Sequence, residues 1–68
     1  AEQEQNRMHQ LYLMLPDNQR DIIRMRFFEN LSFKEISDRT GVSINTSLGR
    51  MRYAILNMRR LLKERESA

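Results

Sequence analysis

The stretch LSFKEISDRTGVSINTSLGRMRYAILNMRRLL, Leu31 to Leu62, decides how the rest of the chain is read. Ser32 is followed three residues later by Glu35, the spacing at which each side chain satisfies an orphan amide at the other's end, so a helix starts here. Leu31 before the cap and Ile36 after it supply a hydrophobic staple. The helix stops at Gly41, because glycine accepts the left-handed backbone that a sharp reversal needs. Val42 then plugs the turn, and Ser43 caps a second helix. From there Ile44, Leu48, Met51, Ile55, Met58 and Leu62 recur at alternating spacings of four and three, an apolar stripe about five turns long. The stretch therefore reads as a short helix, a tight turn and a long helix.

Charge separates this pair from an ordinary helical hairpin. Arg39, Arg50, Arg52, Arg59, Arg60 and Lys63 lie in a span without Asp or Glu, which opens after Asp38 and closes at Glu64. Residues 1–38 carry five bases and seven acids, net −2, whereas residues 39–68 carry seven bases and two acids, net +5. An asymmetry of that size makes one end of the molecule a surface for polyanions.

The 68 residues suffice for one small domain with a modest core. Without cysteine there is neither a disulfide framework nor a thiolate metal site, which suits a reducing compartment. No apolar run approaches the length of a membrane span, and no signal-peptide pattern is present. A cytoplasmic location is the expectation. A chain beginning AEQEQ without an initiator Met also reads as part of a longer protein.

Upstream, Met8, Leu11, Tyr12 and Leu15 sit at i, i+3, i+4 and i+7, which predicts a first helix from about Glu4 to Met14 with a polar, frayed start. Pro16 ends it. Pro16 or Asp17 opens a second helix with apolar positions Ile22, Ile23, Met25, Phe27 and Phe28, closed by Asn30. No strand pattern, repeat or low-complexity segment appears. The fold class is all-α: a small four-helix domain with a C-terminal helix-turn-helix and a long recognition helix.

Within this frame Leu15-Pro16, Gln19-Arg20, Ile22, Met25-Arg26, Leu31-Ser32, Glu35-Ile36, Gly41-Val42, Thr46, Arg50-Met51, Ala54 and Arg59 stand at fixed spacings. Together they resemble the fourth conserved region of the sigma-70 family of bacterial RNA polymerase sigma factors, most closely the extracytoplasmic-function type. The resemblance covers roughly Leu11 to Leu62. It implies a four-helix domain that binds the double-stranded −35 promoter element through its last helix and the β-flap of RNA polymerase core through another face. An anti-sigma factor is a further partner the resemblance admits. It also divides the single domain into residues 1–30, resembling region 4.1, and 31–64, resembling region 4.2. The chain departs from the pattern at Thr40 and Ser47, where larger aliphatic residues are usual, at Leu48, usually Lys or Arg, and at Gly49, usually polar.

Helix geometry yields a mechanism independently. Successive residues rotate by about 100 degrees, so if Ser47, Met51, Ala54 and Met58 face inward, then Asn45, Gly49, Arg52 and Leu56 face outward, with Thr46 and Tyr53 beside them. The opening turns would enter the major groove. There Asn45 can pair with adenine, Thr46 can bond a base edge or meet a thymine methyl, and Ile44 can offer apolar contact. Gly49 admits close approach to DNA or is a tolerated small residue. Arg50 and Arg52 flank the stripe and suit phosphates on the two walls of the groove. Arg59, Arg60 and Lys63 suit general attraction or a polymerase contact. Arg39 suits a phosphate or its own helix C-terminus. Ser32 and Ser43 read first as caps, at helix starts whose amides can also hold a phosphate.

Other groups point to no chemistry. His9 is the only histidine and lacks ligand company. Asp17 with Asp21, and Glu35 with Asp38, are at helical spacing but have no nucleophile beside them. No enzyme activity, metal, cofactor, small-molecule substrate or membrane contact is expected. The five methionines read as core filler, with Met8, Tyr12, Met58 and Leu61 as a possible adaptable patch for a polymerase helix. Two other readings stand beside the sigma one. The output domain of LuxR-like regulators shares an S..EI..T motif, yet that class continues its Thr with Val-Lys and a His, where Thr46 here is followed by Ser47-Leu48-Gly49-Arg50. A helical protein-interaction module would treat the stripe as a coiled-coil seam.

Overall fold

The computed structural model describes the backbone of residues 2–67 and the side chains of residues 7–66. Four α-helices follow one another: α1 (Glu2–Leu13), α2 (Asp17–Ile23), α3 (Phe33–Thr40) and α4 (Ile44–Ser67). Between α2 and α3 the chain winds through a π-helical turn, Arg24–Phe28. No strand occurs among the described residues.

Each boundary has a local cause. α1 unwinds over Met14 and Leu15, whose amides bond three residues back to the carbonyls of Leu11 and Tyr12. Pro16 then stands as the N-cap of α2, its carbonyl accepting from Gln19 at 3.0 Å and Arg20 at 2.9 Å. Its missing N–H costs nothing at that position. At the far end, Arg24 takes the Glu29 amide at 3.0 Å, five residues on, and Asn30 reverses the chain with φ 57°. Asparagine tolerates that left-handed conformation better than most non-glycine residues.

Leu15, Ile22, Ile23, Met25, Ile36, Met51 and Ala54 form one core, with Tyr12, Leu31, Phe33, Met58 and Leu61 packed at its rim. α4 is the spine of the molecule: 24 residues at about 1.5 Å each nearly match its longest dimension of 39 Å. α2 and α3 pack on its first half. Asn57 donates to Gln19 of α2 at 2.6 Å, and Arg65 to Gln10 of α1 at 2.6 Å, which ties down the second half.

Two expectations are corrected here. Phe27 and Phe28, placed among the apolar positions of an α-helix running to Asn30, lie in the π-helical turn and are 59% and 63% exposed. The bonding over five residues widens the turn, so the pattern slips after Met25 and carries both rings outward. The apolar stripe of α4 is not its core face either. Met51 is buried and Met58 and Leu62 half-buried, but Ile44, Leu48 and Ile55 point out. The buried row is Ser47, Met51 and Ala54, with Met58 next. Small residues at 47 and 54 let α4 approach its neighbours closely, so size set the orientation where apolar counting did not. α4 also runs beyond Leu62, to Ser67.

Candidate nucleic-acid interface

The turn that aims α4 is held from both sides. Ser32 Oγ accepts the Glu35 amide at 3.1 Å, and a Glu35 carboxylate oxygen accepts the Ser32 amide at 3.1 Å, completing a capping box. The hydrogen bond from the Ser32 backbone holds the Glu35 carboxyl below its ordinary range, with help from the Ser32 side chain and the nearby charge of Arg39. Gly41 takes φ 77° and donates to the Ser37 carbonyl at 2.9 Å. The Ser37 hydroxyl crosses the turn to the Val42 carbonyl, and Thr40 Oγ1 donates back to Ile36 at 2.7 Å.

Ser43 caps α4 by accepting the Thr46 amide at 3.1 Å, and its hydroxyl donates to Thr46 Oγ1 at 2.9 Å. Thr46 is thereby tied to the cap and keeps its own hydroxyl hydrogen and one acceptor lone pair for a further partner. Asn45, Thr46, Leu48 and Ile44 are exposed, and Gly49 is half-buried. A Cβ added at Gly49 would meet nothing within 4 Å, so packing inside the chain does not explain the glycine. One turn on, Arg52 and Tyr53 are exposed.

Where α3 meets α4, Ile36 and a small residue hold the centre of the contact. Ser47 is fully buried, and its Oγ has no hydrogen-bond partner. Beside it lies a cleft of about 90 Å³ bordered by Asn18, Asp21, Thr40 and Arg50. The small side chains at 40 and 47 leave the space that larger aliphatic ones would fill.

Among the described residues the arginines divide into engaged and free. Arg39 reaches Glu29 at 2.8 Å, and Glu29 also holds Arg24 at 3.2 Å, which in turn reaches Asp21 at 3.1 Å. The hydrogen bond to Glu29 is the main reason the Arg24 guanidinium is held more firmly protonated than usual. Arg20 pairs with Asp17 at 2.6 Å and Arg60 with Glu64 at 3.1 Å. Arg26 instead lies over the Phe33 ring, 5.5 Å from its centre. Arg50, Arg52, Arg59 and Lys63 form no ion pair among the described residues.

Sequence reasoning did not find Glu29, because its partner Arg39 lies ten residues away on another element. Of the carboxylates at helical spacing, Asp17 and Asp21 pair with arginines and Glu35 holds its cap, while Asp38 is exposed. His9 stacks on Tyr12 with ring centres 5.9 Å apart. Among the described residues no cluster of His, Cys, Asp and Glu could hold a metal, and no helix is long and apolar enough to cross a membrane.

A short capped helix, a left-handed glycine turn and a long helix that opens on exposed polar and aliphatic side chains beside free arginines define the helix-turn-helix class of DNA-binding domains. The family model of "Sigma-70, region 4" matches residues 5–47, more than half of the chain, and the chain belongs to that family. It is thus a sigma-factor domain with a DNA-binding role in transcription, in a family whose members engage promoter DNA and RNA polymerase. The match ends at Ser47, four residues into α4, so the free arginines lie beyond it. No curated protein and no solved structure matches the chain.

Proposed function

We propose that α4 reads the −35 promoter element and that the domain thereby directs RNA polymerase to the start of transcription. The observation that carries this reading is the exposed opening of α4, Ile44, Asn45, Leu48 and Arg52, where Arg50 and Arg52 form no ion pair among the described residues. Asn45 forms a bidentate pair with adenine, Thr46 donates its remaining hydroxyl hydrogen to an acceptor on a base edge, and Arg50 and Arg52 bond phosphates on the two groove walls. Tyr53 lies on the outward side of the same helix, in reach of the backbone. Arg39 joins them on release from Glu29, and the amides behind Ser32 and Ser43 add weaker phosphate contacts.

In the same reading, residues 1–30 correspond to region 4.1 and 31–64 to region 4.2. The β-flap docks on the apolar surface made by Met8, Tyr12, Phe27 and Phe28, where Phe28 meets Tyr12 edge-on at 5.5 Å. Met58 and Leu61, half-buried at the core rim like Tyr12, adjoin that surface in the same reading. An anti-sigma factor would compete for either face.

Binding to duplexes that carry a −35 region, against scrambled duplexes, tests the promoter half. Asn45→Ala should relax the preference at one base pair, and Arg50→Ala should weaken all duplexes alike. An Asn45→Ala chain with unchanged preference would sink the base-reading assignment. Capture of an isolated β-flap tests the other half. A flap that ignores the chain, or binds Phe28→Ala as tightly as the parent, would remove the proposed docking face. Family membership sets aside the LuxR-like reading.

A further inference from the structure

We propose that Ile44 and Leu48 read the C5-methyl groups of thymines, so that the site preferred by this chain places A·T pairs under the first two turns of α4. The inference rests on the promoter-recognition reading and deepens it. Its starting point is that two large aliphatic side chains, 43% and 46% exposed, stand at the opening of a basic surface while the small Ser47 takes the buried position between them. Separated by four residues, Ile44 and Leu48 share one side of the helix and form a single apolar ledge.

Their neighbours narrow the ligand. The exposed or half-buried residues from 44 to 49 are Ile44, Asn45, Thr46, Leu48 and Gly49, none of them charged. Guanine is read chiefly by the paired donors of arginine or lysine. No such group stands from Ile44 to Gly49, and Arg50, the first cation of α4, is half-buried and turned well away from the ledge by helix rotation. Adenine offers an acceptor and a donor that suit Asn45, and thymine is the base that carries a methyl into the major groove. The free cations nearest the ledge, Arg50 and Arg52, lie on either side of it and suit phosphates. Gly49, with open space where a Cβ would be, lets the helix come close enough for Leu48 to touch a methyl.

The test begins by selecting the preferred duplex from a random pool with the 68-residue chain. Each thymine of that duplex is then replaced singly by deoxyuridine, which removes the methyl and nothing else. We expect one or two positions to lose about fourfold in affinity, the factor that burial of one methyl-sized group gives. Leu48→Ala should abolish the difference between thymine and deoxyuridine at one of them, and Ile44→Ala at the other. If every deoxyuridine is tolerated while duplex binding persists, or if G·C pairs are selected beneath these turns, methyl reading is overturned and promoter recognition stands. Failure to bind any duplex would overturn both. Dimerisation of the free chain that Leu48→Glu abolishes would assign the ledge to a second copy and also overturn it.

Discussion

Ser47 is fully buried at the α3–α4 contact, and its hydroxyl has no hydrogen-bond partner among the described residues. A buried donor without a partner carries the desolvation penalty without the compensating bond. Ser47→Ala should therefore raise stability by about 1 kcal/mol, allowing also for alanine's better helix propensity. Chemical denaturation reads this directly, and a lower midpoint for the variant would show the hydroxyl to be satisfied after all. The burial of Ser47 was legible from helix rotation, which set it beside Met51 and Ala54, and was invisible to any count of apolar residues. Glu35 shows the opposite case, a polar residue whose role was plain from its distance to Ser32. Because its carboxyl is held low in the folded chain, the cap stabilises fully above the ordinary value of 4.5 and is lost as pH falls through the lower folded value. Stability measured from neutral to acid pH should fall more steeply in that window for the parent than for Glu35→Gln. Identical curves would contradict the capping assignment.

Among the elements, α4 decides the most and was read least completely. Its existence, its cap and its acid-free course were legible, since Ser43 and the run of arginines are local signals. Its orientation was legible from helix rotation, which set Ser47, Met51, Ala54 and Met58 inward, and not from the stripe of large apolar residues, which differs from the buried row by less than a quarter turn. Contact with α2 and α3 selects the row with small side chains. The π-helical turn escaped the pattern: a single widened turn leaves no mark in a sequence, yet it carries Phe27 and Phe28 from the core to the surface. Gly49 provides the test at this scale. With nothing near its missing Cβ, Gly49→Ala should add about 1 kcal/mol to the stability of the helix, while duplex affinity falls because the methyl meets DNA. Stability and affinity rising together would make the glycine a tolerated residue and not an approach surface.

For the whole molecule, the divided charge of the sequence becomes a divided surface. Asp17, Asp21 and Glu29 are drawn into pairs with Arg20, Arg24 and Arg39, whereas Arg50, Arg52, Arg59 and Lys63 form no ion pair among the described residues. The division itself was legible from counting. Which arginines stay free was not, since Glu29 claims Arg39 across elements that the sequence does not show to be neighbours. Family membership accounts for the scaffold up to Ser47, and in the proposed reading the cations of α4 extend the site beyond it. Their action is most directly measured by the dependence of duplex affinity on salt. In a plot of log affinity against log salt, Arg50→Ala and Arg52→Ala should each flatten the parent slope by about 0.9, the release expected per phosphate neutralised. Arg20→Ala, whose charge is already paired with Asp17, should leave the slope as it was. A parent slope near zero, or one that neither α4 variant changes, would contradict the account.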